Sequence, residues 1–196
     1  VASYLTTAGL AHRGLVVGYD TRFASEDFAA EVAGVIAGNG IKAYLCSHAS
    51  PTPVVSYNLL HYKAGGAAVI TASHNPGRWN GFKYKPEYAG SASPQVVAQL
   101  EVEIEKAARA GIHRISLTEA RRRGLLEEID PAPVYRDHVA KLVDLPTIRN
   151  SGLRIVVDAM FGAGAGYIPA LLTGGATSVV ELNGQRNPIF PGIHNP

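Results

Sequence analysis

Short apolar runs alternate with amphipathic stretches over the first third of the chain. Leu15 to Tyr19, Ile41 to Cys46 and Ala67 to Thr71 are brief and almost wholly apolar, which is typical of buried strands. Between them, Ser25 to Gly38 or Gly40 and Thr52 to Gly65 carry apolar residues at helical spacing. This order of strand, helix, strand, helix and strand predicts a parallel α/β sheet.

The two predicted helices begin at residues suited to that position. Ser25 is expected to cap the first helix, with Glu26 and Asp27 near the positive end of its dipole. Thr52 is expected to cap the second helix, with Pro53 at its first position.

The middle of the chain predicts further helices and then a linker. A long helix is expected from Pro94 to Gly111, and a second amphipathic helix follows Pro131-Ala132-Pro133. Arg121 to Arg123 resembles a phosphate-binding cluster, but adjacent helical residues point in different directions, which favours a solvent-exposed helix end. Pro146 to Gly152 reads as a linker, which sets a first domain at residues 1–150.

A second α/β unit begins after this linker, in residues 151–196. Arg154 to Asp158 and Ser178 to Leu182 are predicted strands, with a glycine-rich turn at Gly162 to Gly166 and a helix at Tyr167 to Leu172 between them. The predicted fold class is therefore a three-layer α/β/α domain with a mostly parallel sheet, followed by the start of a second, similar domain.

Composition narrows the class of protein without selecting a partner. The net charge of +2 gives no sign of nucleic-acid binding. No apolar run approaches the roughly 18–20 residues of a membrane span, and the lone Cys46 fits a reducing compartment, where it is expected to be a buried small residue. We therefore expect a cytoplasmic protein. Val1 and the Pro-rich last residues lead us to expect a segment of a longer chain.

The glycine-rich turn admits a dinucleotide-binding interpretation. A strand, a glycine turn, a helix and then Glu181 imitate the motif in which amides hold pyrophosphate and an acid holds a ribose. However, Tyr167 stands where the third glycine of that motif is needed for close packing. The pattern favours a structural strand-to-helix turn.

Polar residues follow two of the predicted strands directly. Asp20-Thr21-Arg22 leaves the first strand, and Ser73-His74 follows the third. Ligands in parallel α/β sheets bind at the carboxyl ends of strands. The sequence therefore predicts a site where these two loops meet.

Two chemistries would make use of Ser73. Acyl transfer needs a base hydrogen-bonded to the hydroxyl, and His74 is a poor candidate because adjacent side chains in an extended loop diverge. The G-x-S-x-G elbow of serine hydrolases is also absent from the sequence around Ser73. Phosphoryl transfer instead needs cations and donors around a phosphoserine.

The residues around Ser73 are of the types that phosphoryl transfer needs. Arg22, His74, Asn75 and Lys83 are candidate phosphate donors, and Asn80-Gly81 permits the turn that returns Lys83 towards the serine. An ordinary polar crossover remains the alternative interpretation of the same composition.

Several strings resemble the α-D-phosphohexomutase superfamily, which includes phosphoglucomutases and phosphomannomutases. Thr71 to Pro76 reads T-A-S-H-N-P and is followed by N-G-F-K, as in the family's phosphoserine loop. Gly18 to Arg22 resembles the family's G-x-D-x-R, and Ser50 to Pro53 resembles its T-P helix start. Residues 157–164 and Phe190-Pro191-Gly192 are similar to the opening of the family's second domain.

The resemblance implies a reversible mutase that works through a bisphosphorylated sugar. It implies that Ser73 carries the phosphate and, through it, gives one ligand to an essential Mg²⁺. It assigns His74 and Lys83 to proton transfer and phosphate contact and Arg22 to a supporting place in the loop, while Asn75 is expected to bind phosphate because of its residue type near Ser73. Hexose phosphates are the implied substrates, and glucose 1,6-bisphosphate is the implied activator.

Other motifs of the superfamily do not occur in this sequence. They are the early G-T-S-G-x-R segment, the D-G-D-x-D-R metal loop, the G-E-x-S-G sugar loop and the R-x-S-G-T phosphate loop. We therefore expect the segment to be inactive alone, with the aspartate ligands of Mg²⁺ lying outside it. A non-catalytic phosphosugar-binding or regulatory module and a phosphoglucosamine mutase are the alternative functions.

Overall fold

A computed structural model describes residues 1–193 and shows an α/β protein. Its helices and strands, in chain order, are α1 (Ala2–Thr7), a 3₁₀ turn (Ala11–Arg13), β1 (Leu15–Tyr19), α2 (Ser25–Gly38), β2 (Ala43–Cys46), α3 (Thr52–His61), β3 (Gly66–Ile70), β4 (Phe82–Pro86), α4 (Pro94–Ala110), α5 (Leu117–Arg122), β5 (Leu126–Ile129), α6 (Ala132–Leu142), α7 (Leu145–Asn150), β6 (Arg154–Asp158), α8 (Tyr167–Leu172) and β7 (Ser178–Leu182).

The main sheet has five strands in the order β4-β3-β1-β2-β5. Strands β1, β2, β3 and β5 pair in parallel, whereas β4 runs antiparallel to β3 at one edge. This arrangement confirms the predicted fold class. It also places the ends of β1 and β3 side by side, because these two strands are neighbours.

Alternate residues of β1 enter different apolar layers. Val17 belongs to a cluster with Ile36 of α2, whereas Val16 belongs to a cluster with Val55 and Leu59 of α3. Because successive side chains of a strand point to opposite faces, one fully buried strand supplies both layers. The sheet is therefore covered on both faces, as a three-layer α/β/α domain requires.

The sequence did not predict the edge strands β4 and β5. In β4, Lys83 and Lys85 are half-buried and Tyr84 is buried, and in β5 the charged Glu127 and Glu128 lie between two buried residues. Short, charged strands at a sheet edge lack the continuous apolar run of central strands.

Two local predictions were wrong. Ser25 is the first helical residue of α2 rather than its cap, because Ala24 takes the cap position with a left-handed φ of 57°. The predicted linker from Pro146 to Gly152 contains α7, which begins where the Asp144 side chain accepts a hydrogen bond from the Thr147 amide. Aspartate commonly caps helices, so Asp144 is a sequence signal for the start of α7. The proline that follows led to this stretch being interpreted as a linker.

The second unit consists of β6, α8 and β7, with β6 and β7 paired in parallel. Exposed residues alternate with half-buried ones along both strands, and Val156 and Val180 are among the exposed ones. This is the strand-turn-helix-strand order that the sequence predicts. The domain boundary near residue 150 stays a prediction.

Cys46 and the run from Arg121 to Arg123 have the burial and exposure that the sequence predicts. Cys46 is buried, and its burial, reinforced by Asp130, raises the pKa of the thiol to about 12. In residues 1–193, none of the helices is both long enough and apolar enough to span a membrane. Arg121, Arg122 and Arg123 are exposed, as the sequence predicts for a helix end.

Candidate active site at the serine loop

A cavity of about 460 Å³ lies at the carboxyl ends of β1 and β3. Its wall is formed by residues 20–22 after β1, the first turn of α3, the loop after β3 and the glycine turn of the second unit. We name the loop after β3, residues 71–81, the serine loop. The cavity lies where the sequence predicts a site, because Ser73, His74, Asn75 and Arg22 all line it.

Ser73 holds an unusual backbone conformation at the mouth of this cavity. Its φ is 59°, in the left-handed region, and its amide donates to Thr71 Oγ1 at 2.9 Å. A non-glycine residue in this region costs on the order of 1–3 kcal/mol and persists only where neighbouring contacts impose it. The loop therefore presents an exposed serine in a conformation that the surrounding structure maintains.

The left-handed turn brings Ser73 and His74 together. Ser73 Oγ lies 3.3 Å from His74 Nδ1. The expectation that these side chains diverge was wrong, because it assumed an extended backbone at Ser73. Within residues 1–193 no hydrogen bond joins the His74 ring to a carboxylate, so the orienting acid of an acyl-transfer triad has no counterpart there.

Arg22 is buried, with 5% of its surface exposed, and its guanidinium organises the serine loop. Its Nε donates to Asp20 at 3.0 Å, and its two terminal nitrogens donate at 2.7–3.0 Å to four main-chain carbonyls. Those carbonyls belong to Ser73, Asn75, Pro76 and Trp79.

These bonds engage all five N–H donors of the Arg22 guanidinium. No donor remains to point at a phosphate in the cavity. The prediction that Arg22 binds phosphate directly is therefore corrected to a positioning role, in which the guanidinium fixes the path of the loop that carries Ser73.

A second anchor holds the far end of the serine loop. Asn80 Nδ2 donates to Ser25 Oγ at 2.9 Å, and Ser25 Oγ donates in turn to Asp20 Oδ1 at 2.8 Å. Ser25 is fully buried at the start of α2. Asp20 therefore accepts hydrogen bonds from Arg22 and from Ser25, and Ser25 accepts one from Asn80. Both anchors of the serine loop thus depend on Asp20 in the loop after β1.

Asn75 is bonded to the loop itself. Its Nδ2 donates to the carbonyl of Ala72 at 2.7 Å, and its main-chain amide donates to the same carbonyl at 3.1 Å. Asn75 also lines the cavity, so its side-chain amide retains one N–H for a ligand.

Lys83 lies apart from Ser73. It is opposite Val69 in the antiparallel β3–β4 pair, and it lines a hollow between β4 and α4 rather than the serine cavity. The chain does turn back after Asn80-Gly81, where the Thr71 amide donates to the Gly81 carbonyl at 2.9 Å, but this turn does not bring Lys83 to the serine cavity. A role for Lys83 in catalysis stays a prediction.

The electrostatics of the cavity combine a helix end with few free charges. Ser50, Pro51 and Thr52 place the N-terminus of the ten-residue helix α3 at the cavity wall, where its dipole favours an anion. Asp20 is already paired with Arg22. Among residues 1–193, no group of three or more His, Cys, Asp or Glu side chains is arranged to hold a metal ion.

The second unit closes one side of the cavity. Thr21 Oγ1 donates to the carbonyl of Phe161 at 2.8 Å, and Met160 and Phe161 both have left-handed φ angles. In the glycine turn, the Glu181 carboxylate accepts from the Gly166 amide at 2.9 and 3.1 Å. The acid that imitates a ribose ligand thus binds the turn itself, which supports the structural interpretation of this motif.

Sequence reasoning missed three residues of this site: Phe161, Arg186 and Phe190. Phe190 lines the cavity, and its ring centroid lies 5.9 Å from Arg22 Cζ. Phe161 acts through its carbonyl and Arg186 through contacts with the loop after β1. Main-chain acceptors and partners more than 100 residues away leave no local sequence pattern.

Comparison with sequence families supports the resemblance to phosphoglucomutases and phosphomannomutases. The model of the phosphoglucomutase/phosphomannomutase α/β/α domain I matches residues 1–110, and that of the α/β/α domain II matches residues 133–196.

Individual relatives agree with this match. A phosphoglucomutase from Staphylococcus epidermidis is 32% identical over 88% of this chain and 31% of that protein. A phosphoglucosamine mutase from Carboxydothermus hydrogenoformans is 32% identical over 96% of this chain and 40% of that protein. The chain thus spans about a third of the length of the curated relatives it matches.

A solved structure shows the same fold. The crystal structure of a protein from Thermus thermophilus, assigned as a phosphomannomutase, superposes with a TM-score of 0.82 at 29% identity. The match covers 98% of this chain and 41% of that chain.

Proposed function

Because this chain belongs to the phosphoglucomutase/phosphomannomutase family of the α-D-phosphohexomutase superfamily, we propose that it carries the phosphoserine half of a phosphohexomutase site. The reaction is reversible interconversion of hexose 1-phosphates and 6-phosphates, with glucose or mannose as the sugar. Ser73 is the residue that stores the phosphoryl group between the two half-reactions.

The observation that carries the proposal is the geometry of Ser73. An exposed hydroxyl stands at the carboxyl edge of a parallel sheet, on a loop whose carbonyls are held by the fully engaged guanidinium of Arg22. In-line phosphoryl transfer depends mainly on holding the donor and acceptor oxygens in position. A fixed loop with an exposed oxygen meets that requirement.

Each half-reaction breaks one P–O bond and forms another. In the forward direction the bond between phosphorus and Ser73 Oγ breaks and a bond forms between phosphorus and a sugar hydroxyl oxygen. The proton of that hydroxyl passes to a general base, and Ser73 Oγ takes up a proton. His74 is placed to exchange a proton at Ser73 Oγ because its Nδ1 lies 3.3 Å away. The N-terminus of α3 and the remaining Asn75 donor favour the negative charge of the bound phosphate.

The superfamily is generally Mg²⁺-dependent, but the side chains of this cavity do not form a magnesium site by themselves. Asp20 is the carboxylate at the cavity wall, and its oxygens accept from Arg22 and Ser25. Mg²⁺ prefers an octahedral set of oxygen ligands, of which Ser73 phosphate would give only one. The carboxylate ligands of a bound Mg²⁺ would therefore have to come from outside residues 1–193.

Phosphoglucosamine mutases are a second candidate. A relative of that name matches 96% of this chain at an identity equal to that of the first phosphoglucomutase relative. The serine-loop geometry does not distinguish among hexose phosphates, because it concerns the phosphate-bearing oxygen of Ser73 and the loop that holds it.

Transfer of phosphate to Ser73 tests the proposal directly. The full-length protein is incubated with glucose 1,6-bisphosphate, and its peptides are analysed by mass spectrometry for one phosphate on Ser73. The chain offers a matched control, because Ser47 at the end of β2 also lies beside a histidine, with Oγ 3.1 Å from His48 Nδ1, yet does not line the cavity.

We expect phosphate on Ser73, none on Ser47, and wild-type labelling in Ser47→Ala. Labelling at another residue, or none with the bisphosphate in excess, would overturn the phosphoserine mechanism. Tight binding of the bisphosphate without transfer, measured by calorimetry, would instead support a non-catalytic phosphosugar-binding module.

A further inference from the structure

Arg186 joins the segment after β7 to the loop after β1. Its Nε donates to the carbonyl of Thr21 at 3.1 Å, and one terminal nitrogen donates to the carbonyl of Arg22 at 3.0 Å. Both terminal nitrogens also bind the Glu26 carboxylate, at 2.8 and 2.7 Å. One planar guanidinium therefore binds two main-chain carbonyls and the first turn of α2 together.

Phe190 makes the second contact of this segment. Its ring centroid lies 5.9 Å from Arg22 Cζ, within the range of a cation–π interaction. A Cβ added at Gly77 of the serine loop would lie 2.8 Å from Phe190 Cδ2, so the ring approaches the loop closely where glycine permits it. The segment from Arg186 to Phe190 therefore touches both the residue that organises the loop and the loop itself.

We propose that Arg186 is a positioning residue for the phosphoryl-transfer site, acting on Ser73 through Arg22. This inference rests on the proposed function for its catalytic consequence. Arg186 holds the main chain of Arg22, and the side chain of Arg22 holds four carbonyls of the serine loop. A displacement of the Arg22 main chain would therefore also displace the loop that carries Ser73.

The proposal predicts a specific mode of failure. Without Arg186, the Arg22 side chain can still donate to the carbonyls of the serine loop, so that loop still forms. However, the main chain of Arg22 loses the hydrogen bonds that hold it. The loop should then open more often, and the reacting oxygen should be less well aligned. Misplacement of a reacting group by about 1 Å costs roughly 10²-fold in rate, so an effect between about 10-fold and 100-fold on kcat is expected.

Trypsin cleavage after Arg78 measures loop opening without relying on activity. Arg78 is exposed within the serine loop, and cleavage there requires local opening. We expect Arg186→Met to raise the cleavage rate after Arg78 by about tenfold over wild type. The matched control is Arg154→Met, because Arg154 is an exposed arginine at the start of β6 and does not line the cavity.

Kinetics and phosphorus NMR complete the test in the full-length protein. In Arg186→Met we expect kcat to fall about 10-fold to 100-fold with KM within about twofold of wild type. The ³¹P resonance of phosphorylated Ser73 should broaden or shift. Arg154→Met should match wild type in all three measurements.

The outcomes separate this inference from the proposed function. If wild type acquires phosphate on Ser73 but Arg186→Met retains wild-type kcat, resonance and Arg78 cleavage, the positioning role is wrong. If wild type takes no phosphate, the proposed function fails, and the Arg78 cleavage rates still decide whether Arg186 holds the loop. Should Arg186→Met fail to fold, Arg186→Lys keeps the positive charge but loses the planar fork that binds both carbonyls and Glu26 together, and an unchanged cleavage rate in that variant would overturn the proposal.

Discussion

The loops that follow β1 and β3 lie side by side but differ in the exposure of the polar side chains that each brings to the site. Thr21 and Arg22 in the loop after β1 and Ser25 at the start of α2 are buried, and their polar side-chain atoms are hydrogen-bonded. In the serine loop, Ser73 and His74 are exposed. The hydroxyl that we propose to carry phosphate is thus on the serine loop, and the groups that fix its position come from the chain after β1.

This difference shows how a surface loop is kept in a strained shape. The serine loop has no helix or strand of its own between Ile70 and Phe82, so its carbonyls lack partners in regular structure. Arg22 supplies four of those partners from the neighbouring strand end. The division lets Ser73 remain accessible while its backbone stays fixed.

The largest effect should come from the exposed loop. Ser73→Ala removes the oxygen that we propose to carry phosphate, so turnover should fall by roughly 10⁴–10⁶-fold, as when a nucleophile is deleted. The midpoint of urea unfolding should stay near that of wild type, because the side chain is exposed. Steady-state assays primed with glucose 1,6-bisphosphate check this, and a normal rate would contradict the mechanism.

The buried loop should show the opposite pattern. Arg22→Met removes the cation paired with Asp20 and leaves four main-chain carbonyls without their donor, so the unfolding free energy should fall by about 3–5 kcal/mol. Urea unfolding measures this. Arg78→Met, at an exposed arginine of the serine loop, is the control and should change stability by about 0.5 kcal/mol or less. Equal effects at the two arginines would remove the distinction between the loops.

Lys83→Met tests whether the lysine that follows the serine loop belongs to the site. A general acid–base contact typically contributes roughly 10²–10⁴ in rate, and the resemblance to the family implies a loss of that size. Lys85→Met on the same face of β4 is the control and should leave turnover unchanged. An unchanged rate in Lys83→Met would assign Lys83 to the hollow beside α4.

The far anchor of the serine loop should make a smaller contribution. Asn80→Ala removes the hydrogen bond to Ser25, and a bond of this kind typically contributes about 1 kcal/mol. We expect the unfolding free energy to fall by about that amount and cleavage after Arg78 to increase. If Asn80→Ala is as stable as wild type, the Asn80 hydrogen bond does not anchor the serine loop, and Arg22 alone would do so.

The smallest effect should be a pH dependence at Glu26. Burial, the largest single effect, raises the pKa of this carboxyl, but the Arg186 hydrogen bond, a main-chain hydrogen bond and the charge of Arg186 together outweigh it and leave the pKa below the ordinary value of 4.5. A lowered folded-state pKa stabilises the protein above pH 4.5 and loses that contribution as the pH falls through the folded-state value. Urea unfolding of wild type and Glu26→Gln from about pH 7 to about pH 3 should converge on acidification. A constant difference would contradict this linkage.

Much of the architecture was predictable because it depends on local pattern. The apolar runs at Leu15 to Tyr19 and Ala67 to Thr71 predict buried parallel strands, which the structure has as Leu15–Tyr19 and Gly66–Ile70, and Ser73 lies just after the second of them. The site could therefore be placed at the sheet edge before any contact was known. The short strand β5 and helix α7 escaped prediction because charged residues in one and proline in the other masked their patterns.

The sequence by itself determined which residue types stand at the strand ends: a serine and histidine after β3, and an arginine after β1. Only the tertiary structure decided their roles. Arg22 is a positioning residue because all five donors meet acceptors, four of them from a loop about 50 residues away, and Ser73 meets His74 because the backbone there is left-handed. Every residue has a main-chain carbonyl, so the acceptor that an arginine meets depends on the tertiary position of the backbone and not on residue type. A sequence motif therefore does not predict such hydrogen bonds.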